Sequence, residues 1–231
     1  MKAAVHPTCE SLLDAAEALF AARGYAAVSV RDIAEQAGAN IAAVSYHFGS
    51  KAELYLQTVD RAMQRRESMP AWQLLETTPA SREEATATIV RFIHELVRRV
   101  LTHDQSPACR LIMHEAAGPS DALDSVVNHY LRPHEELLTG TLRVLLPEAD
   151  EERLLFTVHS VLGQVLHYVM LRPVIERLSL GSVESSEKQD RLGEHIARFS
   201  LHAIGCTPHE VARAIAAVHA PQEAASHDTS V

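Results

Sequence analysis

What the chain has little of narrows the reading first. Aromatic residues are few, at 5%, and the single tryptophan, Trp72, reads as a packing anchor between domains rather than a ligand platform. Three cysteines, Cys9, Cys109 and Cys206, are far apart, odd in number and never spaced C-x-x-C. That argues against a disulfide framework and suits a reducing cytoplasm, with each thiol a small buried hydrophobe. No segment alternates convincingly as a strand, and no apolar run is long enough to span a bilayer. The start lacks the basic, apolar and small pattern of a signal peptide. A cytoplasmic chain with no membrane partner is therefore expected. No nucleophile elbow, phosphate loop or paired-carboxylate motif occurs, so nothing supports an enzyme. None of the fourteen histidines falls in H-x-x-x-H or H-E-x-x-H, so neither a metal site nor a cofactor is expected.

What is present favours helix. Alanine, leucine, glutamate and arginine dominate the 231 residues, enough chain for a sizeable core in one or two domains. The net charge of −9 is unevenly placed: residues 1–66 hold seven basic and seven acidic side chains, so the acidity lies in the remainder. A neutral head on an acidic body suits localised phosphate contacts and poor coating of nucleic acid. The first residues lack an Arg/Lys-rich arm for a minor groove.

The most informative stretch is 29–51. Ser29 can cap a helix, with Asp32 at the capping-box position, and Val30, Ile33, Ala34 and Ala37 share one apolar face. Gly38 ends that helix and Asn40 caps the next. Ile41, Val44 and Phe48 then form an expected buried stripe, which leaves Ala42, Ala43, Ser45, Tyr46 and His47 facing outward. Gly49 ends the second helix, Ser50 caps a third, and Lys51 lies in its first turn. Two short helices about a glycine turn read either as an ordinary helical hairpin or as a helix-turn-helix, whose second helix enters a major groove.

The run Arg-Asp-Ile-Ala-Glu-Gln-Ala-Gly, then Tyr-His-Phe-Gly-Ser-Lys, with Phe20, Gly24 and Tyr25 before it, closely resembles the DNA-binding domain of TetR-family transcription regulators. The resemblance covers residues 9–56. It implies that Arg31 reaches a base edge, that Ala42, Ala43 and Ser45 face bases, and that Ser29, Tyr46, His47 and Lys51 hold phosphates. Asn40 is added as a residue able to reach adenine. Relatives often carry Lys near 41 and Tyr at 45, where this chain has Ile41 and Ser45. The expected DNA partner is a palindromic double-stranded operator, bound by a homodimer.

Beyond the head, the first helix should run from about Glu10 to Arg23, and a fourth from Ser50 to about Ser68. Pro70 and Pro79 mark a boundary. The expected organisation is all-α: a helix-turn-helix domain at 1–56, a connecting helix and linker at 57–80, a helical effector-binding and dimerisation domain at 81–220, and a disordered tail at 221–231. A helix from Ser81 to Thr102 should place Ile89, Phe92, Leu96 and Val100 along its stripe, with Ile93 and Val97 beside it. Pro107 opens a helix to Ala117, and 120–146 reads as a helix kinked near Pro133. Residues 149–171 are apolar nearly all round, so that helix needs cover on several sides. A polar loop spans about 179–188. The segments at 130–136 and 163–174 resemble the CerR-type C-terminal domain of one TetR-family branch, which implies control of transport or drug-susceptibility genes.

Leu162, Gly163, Leu166, Leu192, Ile196, Phe199 and Ala203 are the expected dimer interface, a four-helix seam about a two-fold axis. Phe92, Met113, Tyr130, Phe156, His159 and Tyr168 are the expected lining of a pocket for an apolar or amphipathic small-molecule effector. The functional expectation is a repressor released by that effector. The alternative is a ligand-independent DNA-binding or protein-interaction regulator of the same fold.

Overall fold

The computed structural model describes residues 7–64, 78–102, 106–120 and 123–219. They form helices and no strand. In order these are α1 (Pro7–Arg23), α2 (Val30–Gln36), α3 (Ile41–Phe48), α4 (Lys51–Gln64), α5 (Arg82–Thr102), α6 (Pro107–Ala117), α7 (Leu123–Val126), α8 (Arg132–Leu145), α9 (Glu151–Met170), α10 (Arg172–Ile175), α11 (Ser186–Ala203) and α12 (Pro208–His219). A π-helical turn, Val127–Leu131, joins α7 to α8, just before Pro133. Proline has no N–H for the carbonyl one turn back, and the wider turn absorbs that loss. Trp72, much of the expected linker and the tail at 221–231 lie outside the described residues.

The chain divides into two compact units. The first comprises 1–73 and 99–136, so the helix-turn-helix shares a unit with α6 and α7. Its core gathers Leu12, Ala16 and Phe20 of α1, Ile33 of α2, Val44 and Phe48 of α3, and Leu54, Tyr55 and Val59 of α4. Ala108 and Leu111 of α6 and Val126 of α7 belong to the same core. The Tyr55 ring meets Phe20 and Tyr25 edge to face, with centroids 4.9 Å and 5.0 Å apart. Arg61 ties α4 to α1 through Glu10 (3.0 Å), Asp14 (2.9 Å) and Glu17 (3.3 Å).

The second unit comprises 74–98 and 137–231. On α5 the deepest row within this unit is Ala85, Ile89, Ile93 and Val97. Phe92 is buried beside it, but Leu96 and Val100 are only half-buried, so the expected stripe is rotated. Apolar residues flank both rows, and periodicity alone does not choose between them. Arg82 knots the unit: its Nε donates to Glu210 (2.8 Å) and its Nη1 to the Leu145 carbonyl (2.9 Å). The Thr207 backbone N–H and then Arg82 hold the Glu210 carboxyl down to about 2. Between α9 and α11, Gln164 donates to Ser200 Oγ at 3.0 Å. The expected loop at 179–188 is shorter than supposed. A π-helical turn runs from Glu176 to Leu180, and α11 already begins at Ser186. Among the described residues no single helix is long and apolar enough to cross a membrane.

Candidate nucleic-acid interface

The head is held by its caps. Ser29 Oγ accepts from the Asp32 N–H (3.1 Å), and Ser29 N–H donates to the Asp32 carboxylate (2.8 Å), closing a capping box. Hydrogen bonds from the Ser29 side chain and then its backbone pull the Asp32 carboxyl below its usual range. At the other end of α2, Gly38 adopts φ +63°. Its N–H donates to Glu35 O (3.1 Å) and Ala39 N–H to Ala34 O (2.9 Å), the two bonds of a Schellman stop. Asn40 Oδ1 accepts from the Ala42 N–H (2.9 Å) and starts α3. Ser50 Oγ accepts from Glu53 N–H (3.1 Å) at the start of α4. Four residues, 37–40, thus join two helices that each carry a cap bond at both ends.

The caps fix which side chains stay outside. Val44 and Phe48 are buried. Ile41, expected beside them, is instead 52% exposed. It occupies the first helical position, where the turn rather than the core sets its direction. Ala42 and Ser45 are exposed, Tyr46 is 84% exposed, and Ala43 and His47 are half-buried. The Tyr46 and His47 rings meet edge to face at 4.9 Å. Arg31 is exposed on α2. Lys51 is half-buried, its Nζ 4.1 Å from the Tyr25 ring centroid, and burial pushes its amine below the usual range. Helix α3 carries no carboxylate, so nothing on it repels a polyanion. Ser29 and Asn40 already spend an oxygen on capping.

Two further residues bind α6 into this unit, and no local pattern announces them. His114 Nε2 donates to the Ala21 carbonyl at 3.2 Å. Glu115 is buried, accepts from Ser120 Oγ (2.8 Å), and with burial helps raise the neighbouring Tyr55 phenol.

The other expected residues fall as follows. Phe92 is buried in the second unit's core. Met113, half-buried, and Tyr130, whose side chain lies outside the described residues, belong to the first unit. Phe156 is 63% exposed and His159 is exposed, opposite the α9 core row of Leu154, Val158, Val161 and Val165. These two therefore do not face the unit's interior, contrary to expectation. Tyr168 is half-buried at a groove with Leu192 and His195. Of the expected interface, Leu162 and Leu192 are half-buried, Gly163, Leu166 and Ala203 exposed, and Phe199 61% exposed. Ile196 is a correction: it is buried within its own chain, on the α11 row of Gly193, Ala197 and Ser200.

Residues 12–58 match the profile of bacterial regulatory proteins of the tetR family, and residues 85–204 that of the C-terminal domain of the HTH-type transcriptional dual regulator CecR. The second match alone spans more than half of the chain. The chain belongs to the TetR family. Its C-terminal domain is of the CecR type, the type named above as CerR. The chain is thus a DNA-binding transcription regulator and not an enzyme. Among relatives, CecR of Shigella flexneri is 27% identical, with 69% of this chain and 74% of that protein covered. The HTH-type transcriptional activator FasR of Mycolicibacterium smegmatis is 37% identical over 35% of this chain and 36% of its own length. In fold the chain resembles NalD, the secondary repressor of the MexAB-OprM multidrug efflux pump in Pseudomonas aeruginosa. The TM-score is 0.53 at 20% identity, covering 84% of this chain and 95% of that one. It also resembles HlyIIR, a hemolysin II transcriptional regulator, with a TM-score of 0.54 at 21% identity, covering 81% and 96%.

Proposed function

We propose that this regulator binds a palindromic operator as a homodimer and represses until a small effector releases it. The observation that carries the DNA reading is the outward row of α3, free of carboxylates and fixed by caps at both ends. In this reading Arg31 reads a base edge, while Ala42, Ala43 and Ser45 face bases. Ser29, Tyr46, His47 and Lys51 hold phosphates through hydroxyls, an imidazole and an amine. Asn40 reaches a base only through its amide N–H groups, because its oxygen caps α3. Two recognition helices roughly 34–36 Å apart would enter successive major grooves on one DNA face.

The dimer reading is supported by the apolar row left uncovered on α9 and α11. Leu166, Met170 and Phe199 are exposed there, and a Cβ built on Gly163 meets nothing within 4 Å. That leaves room for another helix to approach closely. The release step is a two-state equilibrium that an effector biases. Transport or drug-efflux genes are the targets proposed. A dual regulator is the second reading, favoured by the match to CecR along both halves.

The test is a competition assay between operator and mismatched DNA over a range of salt. Arg31→Ala should erode discrimination by roughly 1–3 kcal/mol. Lys51→Ala should weaken both DNAs alike and flatten the salt dependence by about one phosphate contact. If both variants bind like the parent, the assigned roles are wrong.

A further inference from the structure

Helix α3 leaves apolar side chains in water where a folded chain ordinarily hides them. Among the described residues 7–64, the exposed large hydrophobic side chains are Ile41 and Tyr46, and both lie on α3. Tyr46 has a hydroxyl to offer a partner. Ile41 has no polar group, and it is 52% exposed beside the exposed Ala42. These two residues begin the helix. In a helix-turn-helix the N-terminal residues of the second helix are those that approach base edges.

What the helix can recognise follows from its residue types. Bidentate reading of guanine takes arginine or lysine, that of adenine takes asparagine or glutamine, and a carboxylate accepts from cytosine. The sequence of α3, Ile-Ala-Ala-Val-Ser-Tyr-His-Phe, contains none of these. An apolar side chain recognises one feature of the major groove, the C5-methyl group of thymine. The direction of Ile41 is also fixed. Asn40 Oδ1 accepts from the Ala42 N–H (2.9 Å) and the Asn40 carbonyl from the Ala43 N–H (2.8 Å), so the backbone on either side is held. A β-branched side chain in a helix keeps one strongly preferred rotamer. Ile41 thus presents its methyl groups with little freedom left to lose on contact.

We propose that Ile41 determines specificity by reading thymine, packing against one C5-methyl group in each operator half-site. This assignment rests on the reading of α3 as the recognition helix, and adds a base preference to it.

The full chain is first used to select its preferred duplex from a library of randomised DNA. Each thymine of the selected half-site is then replaced in turn by deoxyuridine, in both half-sites at once. Deoxyuridine keeps the pairing with adenine and removes only the methyl group. At one position the replacement should weaken binding about fifteenfold, about fourfold for each of the two methyl groups. Ile41→Ala should bind the thymine duplex at least as weakly as the parent binds the deoxyuridine one. It should lose the thymine–deoxyuridine difference at that position and keep any difference elsewhere. Ile41→Val, one carbon shorter, should retain part of it. Helicity and the salt dependence of binding should match the parent in both variants, since the side chain is exposed and no phosphate contact is lost. The assignment is overturned if no deoxyuridine replacement weakens binding, or if Ile41→Ala discriminates like the parent. It is also overturned if Ile41→Ala flattens the salt dependence, the mark of a disturbed phosphate contact. Each of these outcomes leaves operator binding by α3 standing. A library that yields no preferred sequence removes the operator reading and this assignment together.

Discussion

Gly193 sets two opposing effects against each other at one atom. It lies buried in α11. Replacing an interior helical glycine by alanine ordinarily stabilises by about 1 kcal/mol, because the unfolded chain loses freedom. Here a Cβ would stand 3.0 Å from His94 Nδ1, 3.1 Å from its Cγ and 3.3 Å from its Cα. The last of these is backbone, so rotating the imidazole does not clear it. His94 is itself only 7% exposed, with the His219 ring 5.1 Å away, so it has little room to retreat. Overpacking of this kind costs about 1–3 kcal/mol. Gly193→Ala should thus destabilise by about 1 kcal/mol net. In a His94→Ala background the two ring contacts are gone and only the 3.3 Å approach to Cα remains, so the same change should cost less or become neutral. Urea unfolding of the four chains forms a double-mutant cycle, with an expected coupling of about 1–2 kcal/mol. A single Gly193→Ala variant more stable than the parent would refute the reasoning.

Arg61→Ala should destabilise by about 1–3 kcal/mol at unchanged m-value in urea, since it leaves three carboxylates of α1 facing one another. The lower part of that range is favoured because Glu10 and Asp14 are substantially exposed; a shift under about 0.5 kcal/mol would show that α1 and α4 are held by the core alone. Phe199→Glu should convert a sedimenting dimer to monomer with helicity retained, and an intact dimer would place the seam elsewhere. A pH effect should come from His94, whose imidazole is pushed below the usual 6.5 by burial and then by His219 and Arg98, against Asp190 and Glu194. The fold keeps it neutral while the unfolded chain takes up the proton. Stability should therefore fall as pH drops from about 6.5 toward the depressed folded value, and level off below it. His94→Gln should flatten that slope, and an unchanged slope would assign it to other groups.

The sequence was most legible where local chemistry decides the outcome. Ser29, Gly38, Asn40 and Ser50 stand at the cap and stop positions expected of them, because a cap is a bond within a few residues. Helix α6 runs from Pro107 to Ala117, the bounds expected of it. Orientation was less legible. Apolar residues flank both sides of the α5 row, so the buried side was set by neighbours that sequence spacing does not reveal. The same holds for Ile196, which turns to its own core, and for Phe156 and His159, which turn away from it. Long-range pairs such as His114 with Ala21 leave no periodic trace at all.

The DNA-binding unit is consequently not the contiguous segment that its motif marks. The tetR profile ends at 58, yet Ala108 and Leu111, from within the CecR-type domain at 85–204, complete the core beneath α1 and α4. His114 adds a polar tie, reaching the carbonyl of Ala21 near the end of α1, with its ring where a Gly24 side chain would stand. Interiors are close-packed, so displacing α6 cannot leave its neighbours untouched. A displaced α6 would lose those core contacts or carry α1 and α4 with it. Helix α4 begins at Lys51, whose amine rests on Tyr25, and Tyr25 packs against Tyr55. A shift of α6 thus has a packed route to a proposed phosphate contact through Tyr55 and Tyr25, without passing along the linker.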